Sequence, residues 1–173
     1  MVMARIFANR YLQFFAAFFL ALYPFERAIA FPEPEKAQLV ADRLSVISRE
    51  NDTRINTLSS IYPTNQNPES MEAVCISTIT GVMGETNKWI SNLVKSIEDR
   101  NINTKQQNLS PSDKILKDQV NETSIVMNTS GLMLNTTNNI CSGIDDFDKV
   151  QPIIKSMMDD LYEIKSDLLI KLK

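Results

Sequence analysis

Histidine does not occur anywhere in this 173-residue chain. Its absence removes the usual general acid–base group near neutral pH and the commonest metal ligand. The two cysteines, Cys75 and Cys141, are too far apart in sequence for a CxxC redox pair. Without histidine they also make a poor zinc site. The chain holds no Gly-x-Ser-x-Gly elbow, no phosphate-cradling loop and no dinucleotide fingerprint. The acidic pairs Asp145-Asp146 and Asp159-Asp160 have the chemistry to hold calcium or protonate a substrate. They read instead as solvated charges at a helix start and on a helix surface. This inventory predicts a protein that is not an enzyme and that carries no cofactor or metal.

The chemistry that remains is covalent modification and apolar contact. In an oxidising compartment, two cysteines are the number for one bridge. Five Asn-x-Ser/Thr patterns occur, starting at Asn51, Asn108, Asn121, Asn128 and Asn135. Asn121, Asn128 and Asn135 are seven residues apart, so on a helix they share one face. At 100° per residue that face lies about 110° from the apolar stripe of the same segment. These three are the expected glycan carriers. Asn108 is a weaker acceptor because Pro111 follows its Ser110 directly. Asn51 falls inside an apolar stripe, so it is either a buried polar residue without sugar or the site of a helix break. The register continues unshifted at Ile55 and Leu58, which favours burial. Ile125 and Leu132 also lie on the outer side of the Asn121–Asn135 segment, where an amphipathic pattern has no use for them.

Methionine is flexible and polarisable and suits adaptable apolar pockets. Met71, Met83, Met127 and Met157 are candidates to line a cavity for a small hydrophobic ligand; ordinary core filling is the simpler role.

The compartment follows from the N-terminus. Arg5 and Arg10 precede an apolar run from Tyr11 to Phe25, and Ala28-Ile29-Ala30 is a small-x-small cleavage site. Residues 1–30 therefore read as a signal peptide and 31–173 as a single mature domain. The run is shorter than the roughly 20 residues of a spanning helix, so stable membrane insertion is not expected. The whole chain has 18 basic and 21 acidic residues; without Arg5, Arg10, Arg27 and Glu26 it keeps 15 and 20, a net charge of −5. An acidic surface disfavours nucleic acid and anionic lipid as partners.

Four segments with helical periodicity must position these residues. The first runs from about Pro34 to Ser60, with Val40, Leu44, Ile47, Ile55 and Leu58 on its stripe. The second is expected to start with Asn67 as cap and Pro68 in the first turn. Its stripe is Met71, Cys75, Ile79, Val82, Leu93 and Ile97, and a loop is expected over 101–108. The third starts at Ser110-Pro111 and carries Leu116, Val120, Met127, Leu134 and Cys141. The fourth runs from about Asp148 to the end, with Pro152 in its first turn and Val150, Ile154, Met157, Leu161, Ile164, Leu168 and Leu172 in line. Short connections place successive helices antiparallel. The expected fold is all-α, an up-down-up-down four-helix bundle with Cys75 and Cys141 bridging its second and third helices. Positions 75 and 141 are equidistant from 108, inside the expected loop. The expected function is secreted and extracellular: a glycosylated bundle that binds an extracellular protein partner, with carriage of a small hydrophobic ligand as the alternative.

Overall fold

The computed structural model describes residues 32–62, 69–105, 109–145 and 147–173. The expected signal peptide, the Asn67-Pro68 start, Asn108 and Asp146 lie outside these residues. The described chain is all-helical. It comprises α1 (Pro34–Ile61), α2 (Met71–Lys105), α3 (Leu109–Cys141) and α4 (Phe147–Glu163). α4 continues through a π-helical turn, Ile164–Leu168, into a final turn, α5 (Leu169–Lys171).

A chain rich in serine, threonine and asparagine is not an obvious helix former, because these side chains compete for backbone bonds. Here many hydroxyls turn back onto the carbonyl four residues earlier. Thr129 donates to Ile125 O at 3.1 Å, Thr136 to Leu132 O at 2.9 Å and Thr57 to Thr53 O at 2.9 Å. The polar groups are thereby satisfied without leaving the helix.

What holds the helices together is a repeating inner stripe. On α3 it is Leu116, Val120, Thr123, Met127, Ser130, Leu134, Thr137 and Cys141, all buried at alternating four- and three-residue steps. On α2 it is Ile76, Ile79, Met83, Thr86, Ile90, Leu93 and Ile97, again all buried. Such 3–4 spacing lets facing helices interdigitate along their length. α1 contributes Val40, Leu44, Ile47 and Leu58, and α4 contributes Val150, Ile154, Met157 and Leu161.

Several expectations are corrected. Met71 is not on the core stripe; it is 54% exposed at the first turn of α2. That helix begins at Met71, where Ser70 Oγ accepts the Ala73 N–H at 3.1 Å, because a side-chain oxygen one turn back satisfies an otherwise orphaned donor. α2 runs on to Lys105, so the expected loop at 101–108 starts late. There Asn101 is held by Pro34 O at 3.2 Å, and Asn103 by Ser112 Oγ at 2.8 Å. Pro152 lies inside α4, beyond its first turn. The π-helical turn was not expected either. In it, Leu169 N–H reaches back to Ile164 O, five residues away. Both Leu168 and Leu169 are buried where the π-helical turn meets the last helical turn.

Candidate functional site

Cys75 and Cys141 are joined, with Cα atoms 5.8 Å apart. Both are buried in a small cluster with Ile144, against which Tyr62 and Phe147 pack. The bridge ties the start of α2 to the end of α3. Tyr62 OH donates to Asp145 O and fastens the end of α1 to the same corner.

At mid-height the helices are cross-linked by polar side chains. On α2, Asn87 Nδ2 donates to Ser48 O at 3.1 Å and to Asp52 Oδ1 at 2.7 Å, and its Oδ1 accepts from Asn51 Nδ2 at 3.3 Å. Asn51 Oδ1 accepts from Arg54 Nη1 at 2.8 Å, and Arg54 pairs with Asp160 of α4. One position before Asn87, the Thr86 and Ser130 hydroxyls share a 3.0 Å bond between α2 and α3. Polar bonds thus run from α3 through α2 and α1 to α4. A buried polar layer of this kind is satisfied in one register only.

Asp160 corrects a further expectation: it is not a solvated surface charge. Asp159 is exposed, but the next position turns by about 100° and faces α1, where Asp160 is 8% exposed. Burial pushes the Asp160 carboxyl above its ordinary value, and the bond to Arg54 opposes this. Further along, Arg43 grips Glu163 with two bonds of 2.7 Å. That grip holds Glu163 below the usual carboxylate range. A lowered folded-state value means stability that is present above the ordinary value of 4.5 and is lost as pH falls through the folded-state value. Glu163→Gln is expected to flatten the fall in urea midpoint below about pH 4.5, while changing the unfolding free energy at neutral pH by no more than about 1 kcal/mol because the pair is half-exposed. Asp160 acts in the opposite sense, since its contribution is lost as pH rises through its raised value.

The sequon residues separate cleanly. Asn121, Asn128 and Asn135 are exposed on α3, whereas Asn51 is fully buried in the polar layer. The hydroxyl residues of the three α3 sequons, Thr123, Ser130 and Thr137, point the other way and are buried on the inner stripe. Sequence reading missed these polar core positions. Thr123 Oγ1 is buried without a hydrogen-bond partner among the described residues. Thr123→Val removes the Asn121 sequon and an unsatisfied hydroxyl at nearly constant shape, so it is expected to raise stability by about 1 kcal/mol in chemical denaturation. Ser130→Ala breaks the bond to Thr86 and is expected to lower it by about 1 kcal/mol.

Of the four candidate methionines, Met83, Met127 and Met157 are buried within the apolar core, and Met71 is exposed. They do not line the surface grooves. One groove, of about 460 Å³, lies between α1 and the C-terminal turns and is lined by Leu39, Arg43, Glu163 and Leu168 among others. A second, of about 600 Å³, lies between α3 and α4 at Asn138, Pro152 and Met158. Among the described residues, no cluster of acidic or cysteine side chains is placed to hold a metal ion, and no helix is long and apolar enough to cross a membrane. No family model, curated protein or solved structure matches the chain.

Proposed function

We propose that the chain is secreted after cleavage behind Ala30 and that its mature part is an up-down-up-down bundle. On this reading it is N-glycosylated at Asn121, Asn128 and Asn135 and acts by binding an extracellular protein, without catalysis. The Cys75–Cys141 bridge carries the reading. A bridge between helices is at home in the extracellular environment, and a chain that passes through the secretory route meets the machinery that reads Asn-x-Ser/Thr. The antiparallel order is supported by the cross-helix bonds. As positions climb from 75 through 86 to 103 on α2, their partners fall from 141 through 130 to 112 on α3. In the same way, the α1 partners of α2 fall from 52 to 34 as positions climb from 87 to 101.

With sugars on the outside of α3, an open surface away from them is the groove between α1 and the C-terminal turns. Leu39 and Ile170 are exposed large apolar residues on the elements that form it. Lys36, Arg43 and Lys171 alternate there with Glu163 and Asp167. Apolar anchors within a mixed-charge rim suit a protein partner. A photo-crosslinking residue placed at Leu39 is expected to capture an extracellular protein, while one placed at Leu132 captures none. Capture at Leu132 alone, or at neither position, contradicts the reading. Recovery of a tightly held apolar molecule from the purified protein favours the carrier function, with Met83, Met127 and Met157 as its lining.

A further inference from the structure

α3 carries a second stripe on its outer side. Asn121, Ile125, Asn128, Leu132 and Asn135 alternate at four- and three-residue steps, and all are exposed. Ile125 is 66% exposed and Leu132 is 70% exposed. Helical neighbours three and four apart lie about 5–6 Å from each other at Cβ, and side chains lean toward the helix N-terminus. Ile125 therefore leans over Asn121, with Asn128 one turn beyond it. Leu132 leans over Asn128, with Asn135 one turn beyond it. Each exposed apolar side chain on this stripe is bracketed by two glycan attachment points.

We propose that this stripe is covered by the chain's own carbohydrate: the first N-acetylglucosamine on Asn121 lies over Ile125, and that on Asn128 lies over Leu132. The proposal rests on the N-glycosylation reading above. A pyranose ring offers a face of C–H groups, and the acetamido group adds a methyl. Both are suited to an aliphatic side chain that would otherwise meet water. The amide nitrogen to which the sugar is linked is already within one helical turn of the apolar group, so little further ordering is needed.

A 4–3 stripe is also the pattern of a helix-pairing seam. Two observations disfavour a partner helix as occupant. Ser124, Thr129, Gly131 and Thr136 flank the stripe, and no charged residue occurs between Thr123 and Ile144, so no flanking ion pair selects a partner. Asparagine would also take three of five seam positions, where one is the usual register device.

The test is hydroxyl-radical footprinting of the full chain secreted from eukaryotic cells, with glycan occupancy read by mass in the same samples. Three forms are compared: intact, trimmed to a single N-acetylglucosamine, and fully deglycosylated. Oxidation of Ile125 and Leu132 is expected to be several-fold lower in the intact form, to stay low with the single sugar, and to rise when it is removed. Leu39 and Ile170, exposed but remote in sequence from any α3 sequon, should not change. If the sugars are present and Ile125 and Leu132 oxidise equally in all three forms, the proposal is overturned and the glycosylation reading stands. If protection vanishes on trimming to one sugar, the first residue is not the cover and the proposal is again overturned. Bare asparagines, with or without a dimer formed through this stripe, overturn the proposal and the glycosylation reading together.

Discussion

Replacing both Cys75 and Cys141 by alanine is expected to lower the unfolding free energy by about 4 kcal/mol, on a chain-entropy estimate for a bridge spanning 66 residues. Domains of this size are stable by only about 5–15 kcal/mol, so the loss removes much of the margin. The bridge has this leverage because it ties the start of α2 to the end of α3, 66 residues apart in sequence. The unfolded chain loses the most freedom when such distant positions are tied. Urea unfolding followed by circular dichroism measures the effect. Wild-type protein unfolded under reducing conditions should fall close to the double variant. A loss below about 1 kcal/mol in both would mean that helix packing alone holds α2 against α3 and that the bridge is incidental to stability.

Arg54→Ala is expected to lower stability by about 3 kcal/mol. Arg54 touches Asn51, Asp160 and Glu50. Its removal leaves the Asp160 carboxyl nearly enclosed without its cationic partner, and deprives the fully buried Asn51 of a donor. Breaking a buried pair by removing one partner typically costs 3–5 kcal/mol. Replacing both partners by apolar residues is often neutral. The combination Arg54→Met with Asp160→Leu is therefore expected to recover most of the loss, short of about 1 kcal/mol for the Asn51 acceptor. A double-mutant cycle on urea midpoints separates these effects. A double variant as unstable as Arg54→Ala would show that the loss comes from Arg54's bonds to Asn51 and Glu50 and not from the stranded carboxylate.

The apolar stripes of α3 and α4 were legible because burial there follows hydrophobicity. Leu116, Val120, Met127, Leu134 and Cys141 are all enclosed, as are Val150 to Leu172 at helical spacing. The disulfide was legible from cysteine number and from the symmetry of 75 and 141 about the loop. On α2 the expected Cys75, Ile79, Val82, Leu93 and Ile97 are buried, and Met71 is not. The central seam is Ile76, Ile79, Met83, Thr86 and Ile90. Its polar member Thr86 breaks the hydrophobic pattern from which a stripe is read. The same blindness hid Asn87, Thr123, Ser130 and Thr137. A polar residue enters a core only when its bonds are met by neighbours, and that depends on which helix lies opposite. Asn51 stood out because it interrupts an otherwise regular stripe, and it is enclosed with its amide bonded on both sides. Asp160 could not be told from Asp159 by type. Spacing separates them: Asp160 stands three residues after Met157 and four before Ile164, beside the buried stripe, whereas Asp159 lies opposite it. The π-helical turn left no mark in the residue pattern, because Leu168 and Leu169 fit either register.

The central claim is that this is a secreted, glycosylated and disulfide-closed bundle. Intact-mass spectrometry of the protein released by eukaryotic cells tests it most directly, run before and after deglycosylation and before and after reduction. The predicted result is a deglycosylated chain beginning at Phe31, sugars on Asn121, Asn128 and Asn135 with none on Asn51, and a gain of two protons on reduction. A retained N-terminal segment, bare α3 asparagines, a sugar on the enclosed Asn51 or two free thiols would contradict it.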